Sequence, residues 1–142
     1  MIQANIVSTI LGAAAITAII GTPATRRDQA TGLFAVSAPA DADAPLIIYS
    51  QISGNTDSTM DGPSNLQPMR MQFSNYSKTH EEAKALARAL KQLLVGFQST
   101  FPDGTRIDYC ALSFELDTYE PAPALYHVAI DLEFLFADTN GA

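Results

Sequence analysis

The chain has 142 residues, 47% of them apolar, with eight basic against fifteen acidic side chains and a formal charge of −7. That suffices for one domain with a single core, without a metal or disulfide to hold it together. The acidic balance disfavours a phosphate-binding surface and so argues against ordinary DNA or RNA recognition. The single cysteine, Cys110, excludes an intramolecular disulfide and gives no support for secretion.

Residues 2–21 carry no charge, and Ile2, Ile6, Ile10 and Ala14 recur every four residues, with Leu11 and Ile19 widening the stripe. The spacing predicts a buried amphipathic helix ended by Gly21-Thr22-Pro23. The alternative is a signal or membrane segment. Gln3 and Asn5 stand where a signal peptide needs cations, and six polar or glycine residues dilute any spanning helix. Arg26, Arg27 and Asp28 read as a polar connection. Leu33 to Val36 reads as a short strand, followed by a loop through Pro45.

Leu46 to Ile52 suits a half-buried strand. Residues 54–68 then form a long polar connection, a length that usually means function or flexibility. Met69, Met71 and Phe73 alternate with Arg70, Gln72 and Ser74, the two-residue period of a sheet. The clearest element is a helix opened by a capping box, Thr79 with Glu82, and carried by Ala83, Leu86, Ala87, Leu90, Leu93, Leu94 and Phe97 on one face. Lys84, Arg88 and Lys91 fall on the other. Pro102-Asp103-Gly104 signals a turn, and Ile107 to Leu116 another strand. In the last strand Val128, Ile130, Leu132, Phe134 and Phe136 point inward. His127, Ala129, Asp131, Glu133 and Leu135 point outward. Residues 137–142 read as a loose tail of a single domain spanning 1–142. The fold expected is α+β: an antiparallel sheet packed on one face by an N-terminal helix and a second, central helix.

Chemistry is hard to find in this inventory. His80 and His127 lack the spacing of zinc ligands. Cys110 lacks a local nucleophile signature and reads as a small buried thiol. The pairs Asp57/Asp61 and Asp131/Glu133 sit on a loop and on an exposed strand face, where nothing pushes their pKa values apart. Gly54 and Gly62 match no phosphate-binding loop, and Asn75-Tyr76-Ser77 is a chance glycosylation pattern without a secretion signal. No catalytic residue, cofactor site or metal site is expected.

One ordered series of motifs is more specific. Tyr49-Ser50-Gln51-Ile52-Ser53-Gly54 is followed by Met60-Asp61-Gly62-Pro63-Ser64-Asn65-Leu66. Then come Met69-Arg70-Met71-Gln72-Phe73 and the helix start Glu81-Glu82-Ala83-Lys84-Ala85-Leu86-Ala87. Asp117-Thr118-Tyr119-Glu120-Pro121 precedes Leu125-Tyr126-His127-Val128. In order and spacing these resemble the phage tail-completion, or tail-terminator, family. Ser74-Asn75 and the segment 26–44 depart from its usual pattern.

The resemblance implies a non-enzymatic structural protein of the virion tail or neck, from an infectious phage or a gene transfer agent, assembled in the host bacterial cytoplasm. It implies a homo-oligomeric ring, six copies at a time, that caps the tail tube and joins it to the head connector or stopper. DNA would traverse the lumen without specific binding, and no membrane is involved. On that reading Asp57, Asp61, Gly62, Pro63 and Leu66 are candidates for an interface loop, and Asp131 and Glu133 for an acidic, non-adhesive lumen. Leu135 and parts of the N-terminal helix are candidates for contact between copies. The alternatives are a head–tail adaptor, stopper or minor tail protein of the same particle, a small cytoplasmic enzyme, or a membrane-anchored protein using residues 2–21.

Overall fold

The computed structural model describes residues 2–21, 26, 31–38, 42, 44–54, 58–59, 62–63, 66–102, 104–121 and 124–138. The N-terminal apolar stretch is two helices rather than one: α1 (Ile2–Leu11) and α2 (Ala14–Ile20). Ile6 and Ile10 of α1 and Ile16 and Ile20 of α2 are all buried. Six residues separate Ile10 from Ile16. In a continuous helix, at about 100° per residue, Ile16 would sit roughly 120° off the stripe. The break at Gly12-Ala13, where Ala13 is extended, brings both pairs into one core. Among the described residues no helix is long and apolar enough to cross a membrane.

Eight strands follow: β1 (Leu33–Ala35), β2 (Leu46–Gly54), β3 (Ser58–Thr59), β4 (Gly62–Pro63), β5 (Leu66–Ser77), β6 (Ser99–Thr100), β7 (Thr105–Glu120) and β8 (Leu125–Asp138). Six of them form one sheet in the order β1-β2-β5-β8-β7-β6, while β3 and β4 pair separately. The sheet is antiparallel as expected, except that β1 lies parallel to β2. β8 runs on to Asp138, with Ala137 buried and paired to Leu66, so the expected tail shortens to 139–142, outside the described residues.

Helix α3 (His80–Leu94) lies over β5 and β8 and packs beside α2. The Thr79 hydroxyl accepts from the Glu82 amide at 3.2 Å, as the capping box requires. The return arm differs, because the Glu82 carboxylate accepts from the Ser77 hydroxyl instead. Ala83, Leu86, Ala87, Leu90 and Leu94 are fully buried against Met71, Phe73, Ile130, Leu132 and Phe134. This is the α+β fold, sheet on one side and helices on the other.

Arg26, read from the sequence as part of a polar connection, belongs to the buried interior. It donates to the carbonyls of Ile20 and Pro45, both at 2.7 Å. It thus satisfies a free carbonyl at the end of α2 and ties that end to the start of β2. Gly32, at φ +81°, leaves room for it: a Cβ there would stand 2.8 Å from the guanidinium. Arg27 and Asp28 lie outside the described residues.

Candidate interaction surface

The unusual element is β7. Among the described residues eight large apolar side chains are exposed, and five of them, Tyr109, Leu112, Phe114, Leu116 and Tyr119, lie on this strand. A core strand hides such residues. Register accounts for three of the five, Tyr109, Phe114 and Leu116, while Leu112, opposite Leu132, and Tyr119, opposite Tyr126, stay on the α3 side. β7 meets β8 with irregularities between Ile107 and Tyr109 and between Leu112 and Phe114, so Asp108 and Ser113 are extra residues. Each bulge flips every later side chain to the other face.

The first bulge puts Cys110, opposite Phe134, into the core and turns Tyr109 away from it. The second places Phe114 opposite Asp131 and Leu116 opposite Ala129, on the far side of the sheet from α3. It also turns Glu115 and Asp117 toward α3. Without it the simple alternation Leu112, Phe114, Leu116 would have pointed at the helix.

Those two carboxylates meet basic side chains on the exposed side of α3. Lys84 Nζ lies 2.9 Å from Glu115 and 3.0 Å from Asp117, Lys91 Nζ 2.6 Å from Glu115, and His80 Nε2 3.0 Å from Asp117. The Lys91 and Lys84 ammonium groups hold the Glu115 carboxyl below its ordinary range. His80, then Lys84, does the same for Asp117. The same contacts raise the Lys84 ammonium. All of these groups remain partly exposed, so the network adds little to the stability of the fold. Its main effect is to offset the charges of Glu115 and Asp117 on β7.

On the far face, Asp131 and Glu133 share a row but not an environment. Glu133 is exposed. Asp131 is buried, between its cross-strand neighbours Gln72 and Phe114, and paired with Arg70 at 3.3 Å. The expectation of two solvated carboxylates is corrected for Asp131: a buried carboxylate needs a partner, and Arg70 supplies it. Near the turn that joins β7 to β8, His127 stacks on Tyr76 of β5, ring centroids 4.4 Å apart, with Glu120 beside both. Burial lowers the His127 pKa, opposed by Glu120, and burial together with Glu120 raises that of Tyr76.

Of the loop candidates, Asp57 and Asp61 lie outside the described residues. Gly62 and Pro63 form β4, paired with Thr59 and Ser58, and Leu66 opens β5 rather than belonging to a loop. Burial pushes the Cys110 thiol up to about 12, so it is inert as a nucleophile at neutral pH. An open groove of about 390 Å³ is lined by Gln98, Ser99, Thr100, Arg106, Ile107 and Asp108, where Arg106 is spent on Asp108 at 2.6 Å. Among the described residues no three His, Cys, Asp or Glu side chains are grouped to hold a metal ion. Sequence reasoning missed the β7 surface, because a two-residue period cannot show where a bulge reverses it.

No curated protein sequence matches the chain. A chain of a solved structure, "Virion of native gene transfer agent (GTA) particle", matches in fold with a TM-score of 0.68 at 15% identity, covering 95% of this chain and 93% of that one. The profile of the family described as tail completion protein gp17 matches residues 4–137, nearly the whole chain and the region where the motif series lies. The chain belongs to that tail completion family and is a structural tail protein of a phage or phage-like particle.

Proposed function

We propose that the protein closes the head-proximal end of a tail tube as a homo-oligomeric ring, six copies being the family expectation, and offers the head connector its docking surface. It works by burying surface and breaks no bond. The observation that carries this reading is β7, a sixteen-residue strand with five large apolar side chains in solvent. Exposed apolar patches of this kind mark interaction sites. Two carboxylates of β7, Glu115 and Asp117, are already paired with lysines of α3, which lowers the cost of desolvating that stretch.

The other partners follow from the same reading. The segment 54–68, carrying Asp57, Asp61, Gly62, Pro63 and Leu66, reaches a neighbouring copy or the tube. Glu133 faces a lumen through which DNA passes without adhering, since a negative wall repels the phosphate backbone. Asp131, tied to Arg70, contributes less to that field. Electron microscopy of particles produced without the protein tests the proposal. Overlong tails, or tails separate from heads, are expected; normally joined particles of normal tail length would overturn it.

A further inference from the structure

The sheet ends in two unlike edges. β1 is one edge, and next to it Val36 is 76% exposed at φ +67°. A β-branched residue in that conformation is strained, and such strain persists where the surroundings or a function require it. Nothing charged lies within residues 33–38. At the opposite edge, β7 pairs with β6 through Ile107 and Arg106, and its Thr105 and Cys110 carbonyls accept from the Phe101 and Gly96 amides. From 111 to 120 its outer main-chain groups meet no strand among the described residues. The two edges are four strand spacings apart, about 19 Å, so no single patch contains both.

We infer that consecutive copies of this chain join head to tail, the β1 edge with Val36 of one copy seating on the outer edge and exposed apolar side chains of β7 in the next. The inference rests on the ring reading and says which surfaces make the ring. Three observations favour a second copy as the occupant. Two bodies of charge −7 repel, and they can approach only where charge is absent or cancelled. Residues 33–38 satisfy the first condition, and residues 111–119 of β7, with Glu115 and Asp117 held by α3, satisfy the second. The area is also of the right order. Tyr109, Phe114 and Leu116, which share the far face of β7 at 48–55% exposure, present roughly 300 Å², over a third of one side of a standard interface, before the strand edge itself is counted. Finally, unlike edges used once each by every copy make a heterologous contact, which closes into a ring when the rotation permits.

Cross-linking in assembled particles tests this. Cys110 is 1% exposed and its thiol is pushed up to about 12, so added cysteines report alone. Particles carrying Val36→Cys with Leu116→Cys are treated with a short bis-maleimide and run on a denaturing gel; Phe114→Cys replaces Leu116→Cys as a second pair. The expected result is a ladder of covalent multimers ending in one ring-sized species, with each single variant remaining monomeric. Normally joined particles in which both pairs give monomer alone would overturn the inference and leave the ring reading standing. So would a single variant that gives dimers as strongly as the pair, because that contact is isologous. A separate count of one copy per particle would instead remove the ring reading, and this inference with it.

Discussion

Two strands of the same hairpin, β8 and β7, treat their apolar residues in opposite ways. On β8 the row Val128, Ile130, Leu132, Phe134 and Phe136 lies under the helices, buried to 9% exposure or less. On β7 Phe114 and Leu116 point away from the helices at 48% exposure each, while acidic Glu115 and Asp117 take the positions facing α3. Burial of a row toward the core makes a fold; the same chemistry turned outward makes a surface that another protein can cover. One extra residue, Ser113, accounts for the difference.

That contrast can be broken most severely from the β8 side. Phe134→Ala should cost the isolated chain about 3–5 kcal/mol in chemical denaturation, since it opens a cavity in a packed core. Phe114→Ala, by contrast, should change the same transition by less than about 1 kcal/mol while abolishing recovery of the protein in joined particles. Equal losses of stability would mean that β7 is covered within the monomer. Gly32→Ala is expected to cost about 1–2 kcal/mol, because it adds strain at φ +81° and meets the buried Arg26 guanidinium.

Smaller effects sharpen the picture. Thr79→Ala should lose about 1 kcal/mol with the cap at the start of α3. Glu115→Gln should shift the midpoint by no more than about 1 kcal/mol, as expected for an exposed ion network, and its signature is pH dependence. Glu115 and Asp117 have lowered pKa values in the folded chain. Their contribution is therefore present above the ordinary carboxylate range and is lost as pH falls through their folded values. Glu115→Gln should flatten that acid limb by lowering stability at neutral pH, by up to about 1 kcal/mol, while leaving stability below the carboxylate range unchanged.

Much of this fold is legible in the sequence where a pattern is local. The capping residue Thr79 and the apolar stripe through Leu94 specify α3 without reference to anything distant. The alternation from Val128 to Phe136 likewise reads directly as a strand with one buried face. What is not legible depends on partners far along the chain. The break at Gly12-Ala13 follows from the need to bury Ile10 and Ile16 together, which only the tertiary core imposes. Arg26 is buried because carbonyls of Ile20 and Pro45 converge on it. Asp131 looks solvated until Arg70 and Phe114 are placed beside it. The β7 surface is hidden most thoroughly, since alternation reads the same in either register until β8 fixes the bulge. The family resemblance, carried by motifs of β2, β5, α3 and the joined ends of β7 and β8, points to the particle but does not mark the apolar residues of β7 as a surface.

Amide hydrogen exchange of the free chain and of the same chain in the assembled particle tests the central claim most directly. The outward-facing amides of residues 111–120 should exchange quickly when free and become strongly protected in the particle, while those of α3 stay slow in both. Equal exchange along β7 in the two states would contradict the claim that this strand is the surface assembly buries.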